Sequence, residues 1–208
     1  MIEKFPCALV LLAAGASRRM GRPKQLLPVA GRPLLRLVAE QALAAPVTSV
    51  TVVLGAHAAQ IGSSLDGLSV QIVVHDQWER GMGSSLRAGV EAVLAASPET
   101  KAVIVALADQ PGCSAAHFAR LIKTHQTTGQ TMVASATGEV VGPPVLFAAP
   151  WFPRLRQLEG DVGARELLRE QRAATATVPL ETAADLDTPA DYERFLHPRS
   201  EPDQSNST

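Results

Sequence analysis

The sequence predicts a three-layer α/β protein built on a mostly parallel, mixed sheet. Three observations carry this expectation. Short aliphatic runs alternate with segments of helical periodicity, the order produced by successive βαβ units. Apolar residues make up 46% of the 208-residue chain but aromatics only 4%, so small aliphatic side chains must fill the core, as on parallel strands covered by helices. The first aliphatic run ends in a glycine-rich turn, and in such sheets the ligand crevice lies beyond the carboxyl ends of the strands.

Taken in order, strands are expected over Ala8–Ala13, Ser49–Leu54, Val70–His75, Ala102–Ala108, Thr131–Ala136, Pro144–Phe147 and Thr175–Leu180. Helices are expected over Pro33–Ala45, Gly83–Ala96, Ser114–Thr127 and Val162–Arg172. Leu34, Leu37, Val38 and Leu43 share one face of the first helix, and Pro33 suits its first position because a missing N–H costs nothing there. Ser114 suits the N-cap of the third. The segment 198–208 is polar and aperiodic and reads as a frayed tail.

The charge balance is 19 Lys and Arg against 20 Asp and Glu, a net of −1, which argues against a dedicated nucleic-acid binder. Cys7 and Cys113 make neither a disulfide framework nor a thiolate zinc site, so a reducing cytoplasm is the expected setting. The apolar run Cys7–Ala14 is far shorter than the ~20 residues of a spanning helix and lacks a basic leader. It reads as a buried strand and not as a signal peptide, and no membrane partner is expected.

Immediately after that strand comes Leu12-Ala13-Ala14-Gly15-Ala16-Ser17-Arg18-Arg19-Met20-Gly21-Arg22-Pro23-Lys24. A loop with glycines at both ends brings backbone N–H groups close to phosphate oxygens, and Arg18, Arg19, Arg22 and Lys24 concentrate positive charge there. It lacks the Gly-Lys-Ser/Thr ending of a Walker loop and the Gly-x-Gly-x-x-Gly dinucleotide pattern. On these residues alone, a solvated turn with surface arginines explains the string equally well.

The loop and its continuation Gln25-Leu26-Leu27-Pro28-Val29-Ala30-Gly31-Arg32-Pro33-Leu34-Leu35 resemble the opening of the MobA-like nucleotidyltransferases. The Leu-Ala-Ala-Gly string is most similar to the molybdenum cofactor cytidylyltransferase branch. Gly81-Met82-Gly83-Ser84-Ser85-Leu86, Leu107-Ala108-Asp109-Gln110-Pro111 and Asp185-Leu186-Asp187-Thr188-Pro189-Ala190-Asp191-Tyr192 follow in the family's order. The resemblance implies a Rossmann-like, GT-A-like nucleotidyltransferase fold in one domain over 1–197, with a nucleotide-binding N-terminal half and an acceptor-binding C-terminal half. It implies transfer of CMP from CTP to the phosphate of molybdenum-loaded molybdopterin, with release of pyrophosphate and with Mg²⁺ as cofactor. A recipient molybdoenzyme is a further candidate partner.

On this resemblance, Lys24, Arg19 and Asp109 are the catalytic candidates. Leu12, Ala13, Ala14, Gly15, Ser17, Arg18, Arg19 and Lys24 bind the nucleotide, joined by Gly55, Asp76, Gly81, Gly83, Ser84 and Ser85. Asp109 and Asp187 are the metal ligands. Asp109 ends an apolar strand, where a charge is expensive to bury without a partner, and Mg²⁺ is commonly held by one or two carboxylates plus phosphate oxygens. A turn or helix-capping role explains Asp109 without the resemblance. Asp187 or Thr188 also suits the cap of a helix starting at Pro189, with Asp191 as a first-turn acid. Ser84 and Ser85 serve equally as caps.

Pro144, Asp161 and Arg165 are the acceptor-side candidates, in segments that match the family after its nucleotide half. Many relatives carry His where this chain has Pro143, a departure that bears on the acceptor. The low aromatic content points to a base read by main chain more than by stacking. Three alternatives stand beside the cytidylyltransferase: a guanylyl or other small-phosphate nucleotidyltransferase, a cofactor-delivery chaperone, and an NAD(P)-linked oxidoreductase on the same scaffold.

Overall fold

The computed structural model describes residues 5–181 and 185–197, so the expected tail lies outside the described residues. The strands are β1 (Cys7–Ala13), β2 (Pro28–Val29), β3 (Arg32–Pro33), β4 (Ser49–Leu54), β5 (Gln71–Val74), β6 (Ala102–Leu107), β7 (Met132–Thr137), β8 (Val140–Ala148) and β9 (Ala176–Pro179). The helices are α1 (Leu34–Ala44), α2 (Ala58–Gly62), α3 (Met82–Ala96), α4 (Ala115–Thr128), α5 (Phe152–Leu155), α6 (Arg165–Glu170) and α7 (Pro189–Leu196).

Seven strands form one sheet in the order β5-β4-β1-β6-β8-β7-β9. β5, β4, β1 and β6 are parallel, β8 runs antiparallel to both β6 and β7, and β9 is parallel to β7. The expected mixed, mostly parallel sheet is therefore present. β1 shows why a continuous aliphatic run forms its centre, since every residue from Cys7 to Ala13 is buried. The period of two sends Cys7, Leu9 and Leu11 into the core layer containing α1 and α4 residues, and Ala8, Val10 and Leu12 into the layer containing α3 and α6 residues.

Differences from expectation cluster at prolines. Pro33 lies in a two-stranded β2–β3 ribbon, and α1 begins one residue later. β8 begins four residues before the expected Pro144–Phe147 and ends one residue after it. Its Pro143–Pro144 peptide is cis. Neither proline has an N–H to give to the ladder, and the β7 register shifts between Ala134 and Ser135. The Ser135 hydroxyl takes over, donating to the Pro144 carbonyl at 2.7 Å. The expected helix over 162–172 contracts to α6, because Gly163 adopts a positive φ of 28° just before it.

His117 of α4 is buried and sits 2.7 Å from the Ser135 oxygen through Nε2, with Arg120 3.1 Å from its Nδ1. Since the Ser135 hydroxyl already donates to Pro144, it accepts from His117 Nε2–H, which leaves Nδ1 to accept from Arg120. Burial, reinforced by the Arg120 charge, lowers the His117 pKa to about 4.

Two predictions follow from this packing. The unfolded chain takes up the His117 proton below about pH 6.5 while the folded protein resists it, so stability is fully present above that pH and declines as pH falls toward about 4. A melting-temperature profile against pH should show a shallower decline in His117→Gln than in the parent. Gly89 of α3 lies tight against the sheet: a Cβ there would lie 2.5 Å from Val10 Cγ1 and 2.8 Å from Val53 Cγ2. Gly89→Ala is expected to lower unfolding free energy by about 1–3 kcal/mol despite alanine's better helix propensity, as measured by urea denaturation.

Candidate active site

Three segments converge at the carboxyl ends of β1 and β6. The first is the glycine loop after β1. Ser17 takes a left-handed conformation (φ 55°), and its hydroxyl donates to the Gln25 side-chain oxygen Oε1 at 3.2 Å while accepting the Lys24 backbone N–H at 3.1 Å. The Gln25 side chain is buried, and its NH₂ donates to the carbonyls of Ala13 at 2.8 Å and Gly15 at 2.9 Å. Gln25 thus pins the loop from beneath. The backbone N–H groups of Gly15, Ala16 and Ser17 have no backbone partner among the described residues, which leaves donors free for an anion.

The second segment is the turn after β6, carrying Asp109. The third is the approach to α7, carrying Asp185 and Asp187. They are tied together directly: the Leu186 N–H donates to the Asp109 carbonyl at 3.0 Å and Gln110 Nε2 donates to Asp185 Oδ1 at 2.8 Å. α7 is held in turn by the Tyr192 hydroxyl on the Pro28 carbonyl at 2.5 Å. The expected contest over its cap is settled by a reciprocal box, in which Thr188 caps the Asp191 N–H and Asp191 accepts the Thr188 N–H. That division releases Asp187 for other work.

Lys24 joins the three segments. Its Nζ donates to Asp109 Oδ2 at 2.5 Å and to Asp187 Oδ1 at 2.8 Å, and Arg19 reaches Asp187 Oδ2 at 2.7 Å. Burial works to lower the Lys24 pKa, but the two carboxylates outweigh it and hold the ammonium above its ordinary range. Burial likewise works against the Asp187 charge, and Lys24 and Arg19 overcome it, keeping that carboxyl below its ordinary range. At Asp109 burial prevails over Lys24 and pushes the carboxyl up. Asp109 Oδ1 is buried with no hydrogen-bond partner.

That orphan oxygen is the test of fit for a divalent cation. A hard cation takes oxygen ligands, and Asp109 offers a vacant buried one in a pair of carboxylates already gathered round a positive charge. Among the described residues no group of three or more His, Cys, Asp and Glu side chains forms a complete cage. A cation here would complete its shell with substrate oxygens and water, as Mg²⁺ does in phosphate sites.

A cleft of about 430 Å³ opens beside this cluster, lined by Leu12, Ala13, Ala14, Gly15, Arg18, Lys24, Gly81, Ser85 and Asp109 among the expected residues. A Cβ on Gly15 would meet no protein atom. Other expected nucleotide residues stand elsewhere. Gly55 is required by close packing, since a Cβ would come 2.6 Å from Trp78. Gly83 fits against the Glu159 backbone, 2.8 Å from a Cβ, so its small size serves the fold and not the open cleft. Ser84 is buried, bonding the Gly81 carbonyl and His75, and Asp76 is exposed outside the lining. Ser17 and Arg19 support the loop and Asp187 from outside the lining. Gln25, Trp78 and Glu79 line the cleft and were not anticipated.

A second cleft of about 860 Å³ shares Leu12, Met82, Leu107 and Asp161 with the first, so the two adjoin. Of the acceptor-side candidates, Asp161 and Arg165 line it. Pro144 does not: it is buried in β8, and its neighbour Pro143 forms the wall. Cys113 is buried too, its thiol pushed up to about 12 by burial and nearby carboxylates.

Fold and cluster together define an α/β protein of the nucleotidyltransferase class. The chain belongs to the MobA-like NTP transferase domain family, whose domain matches residues 9–176. It is 35% identical over 203 residues to nicotine blue oxidoreductase of Paenarthrobacter nicotinovorans, covering 92% of this chain and 98% of that protein. It is 32% identical to the purine catabolism protein PucB of Bacillus subtilis, covering 88% and 93%. The crystal structure of Rv0371c from Mycobacterium tuberculosis superposes with a TM-score of 0.81 at 29% identity, covering 94% and 99%; that protein has also been solved in complex with manganese. Among the described residues no helix is long and apolar enough to cross a membrane.

Gln25→Leu is expected to leave the Ala13 and Gly15 carbonyls without their donor, lowering unfolding free energy by about 1–3 kcal/mol and weakening nucleotide binding. Chemical denaturation and calorimetric titration check the two effects separately.

Proposed function

We propose that the protein is an Mg²⁺-dependent cytidylyltransferase that transfers CMP from CTP to the phosphate of molybdenum-loaded molybdopterin. The observation that carries this reading is the Lys24 ammonium held between Asp109 and Asp187 beside the unpaired N–H groups of Gly15, Ala16 and Ser17. The Leu12-Ala13-Ala14-Gly15 opening supports CTP as donor. Residues 1–197 act as one cytoplasmic domain, with the nucleotide in the smaller cleft and the acceptor in the larger, near Asp161 and Arg165.

The acceptor phosphate is already an anion, so its attack on the α-phosphorus needs no general base. An acceptor oxygen bonds to that phosphorus in line, the bond to the β-phosphate oxygen breaks, and pyrophosphate departs with the electron pair. The obstacle is charge repulsion, which fixed donors and cations relieve. Asp109 and Asp187 would hold Mg²⁺, whose charge neutralises the triphosphate. Lys24 and the loop N–H groups orient the phosphates, Arg18 flanks them, and Arg19 holds Asp187 in place. The Gln110–Asp185 bond keeps the second carboxylate segment in register with the first.

One observation favours a second reading. The nicotine blue oxidoreductase covers nearly the whole chain, and an oxidoreductase on this scaffold would oxidise NADH or NADPH in the presence of a suitable acceptor.

Purified protein with molybdenum-loaded molybdopterin, CTP and Mg²⁺ should release pyrophosphate. A preference for GTP would overturn the base assignment, and cofactor-dependent loss of NAD(P)H absorbance without pyrophosphate would favour the oxidoreductase. Asp109→Asn should lower turnover by about 100-fold or more while leaving the circular dichroism spectrum unchanged. Full activity at saturating Mg²⁺ would remove Asp109 from the metal role.

A further inference from the structure

Trp78 occupies a position that the nucleotide-transfer scheme leaves without a task. It sits in a short 3₁₀ turn, Trp78–Arg80, between β5 and α3. The turn is otherwise polar, yet the indole packs against the apolar layer that contains Leu12, Ala14 and Leu86. Its near end is fixed: Gly55 lies so close that even a methyl group there would come 2.6 Å from both Trp78 Cβ and Cγ. The Trp78 N–H also donates to the His75 carbonyl at 3.2 Å, and its own carbonyl accepts from Gly81, closing the turn on both sides.

This immobilised ring is the single aromatic residue lining the smaller cleft. The same cleft is lined by Lys24, Asp109 and Gly15 of the glycine loop, which suit phosphate. A nucleotide with its phosphates on those groups has the rest of the lining, which includes Leu12, Trp78, Gly81, Met82 and Ser85, left for its base. A flat, half-buried indole already ordered by the fold loses little conformational freedom on stacking, and every base has a π-face to offer.

We propose that Trp78 is the stacking surface for the nucleobase, with Gly55 present to let the indole seat against the sheet. The proposal rests on the nucleotide reading of the smaller cleft. Stacking holds the base in place, and the discrimination between bases is left to the polar groups at its edge.

The chain has two tryptophans, so Trp151→Phe leaves Trp78 as the sole indole emitter. In that background, CTP with Mg²⁺ should quench fluorescence saturably, with the same midpoint as calorimetric titration, whereas inorganic tripolyphosphate should bind without comparable quenching. Trp78→Leu, which keeps an apolar side chain, should weaken CTP by about 5- to 150-fold, leave tripolyphosphate affinity unchanged, and be rescued largely in Trp78→Phe. CTP binding with unaltered fluorescence and equal affinity in Trp78→Leu would overturn the stacking role alone. Failure of every common nucleoside triphosphate to bind by calorimetry would overturn the nucleotide reading and the stacking with it. If Trp78→Leu does not fold, the fluorescence and calorimetry arms on Trp151→Phe decide the question.

Discussion

The site depends on one ammonium group. Lys24 Nζ touches carboxylates that arrive from opposite parts of the chain, Asp109 from the end of a central strand and Asp187 from the approach to the last helix. Without a cation between them, two acids would face each other in a partly desolvated place, a like-charge arrangement that disfavours ionisation of both. The lysine can occupy that position because the loop carrying it is fixed by buried bonds from Gln25 and by the Ser17 hydroxyl. Rigidity below the loop therefore sets the charge geometry above it. The N–H groups of Gly15, Ala16 and Ser17 have no backbone partner among the described residues, because this stretch belongs to neither a helix nor a strand ladder.

The parallel half of the sheet explains why these groups meet. β1 and β6 are neighbours and end at the same level, so the glycine loop and the Asp109 turn emerge side by side. The antiparallel β8 then carries the chain away from that edge and lines the larger cleft with Val140, Val141, Gly142 and Pro143. Nearly neutral overall charge thus conceals separated charges: a basic loop on one strand end and acids on the next, compensated locally.

Much of this was legible in the sequence because it rests on periodicity and on strand-end residues. A fully buried strand such as β1 has to be a continuous aliphatic run, and an acid directly after another such run advertises a site. The failures have physical causes as well. Gly55 and Gly83 look like openings for a ligand, but a missing Cβ serves a ligand or a neighbouring side chain equally, and only coordinates tell which. Gln25 reads as an ordinary polar loop residue, since nothing local reveals that its amide is turned inward to two carbonyls. β8 was truncated because consecutive prolines remove the ladder donors by which a strand is recognised, and the compensating bond comes from Ser135 on another strand. Trp78 was hidden by averaging: a chain with 4% aromatics still needs only one ring in the right place.

The two clefts share Leu12, Met82, Leu107 and Asp161, so what fills one changes the wall of the other. A ligand seated in the smaller cleft covers part of the wall of the larger one, so the second ligand meets a surface partly made by the first. Leu12 and Leu107 come from adjacent strands in register, which makes that shared wall as rigid as the sheet itself. Met82 and Asp161 come from a helix start and a short 3₁₀ turn, and a Cβ on Gly81 would fall 2.3 Å from the Gly160 backbone, so these two segments pack directly against each other. The junction between the clefts therefore has one side built from sheet and one from a 3₁₀ turn and helix start. Arg165 lines the larger cleft beyond that latter side.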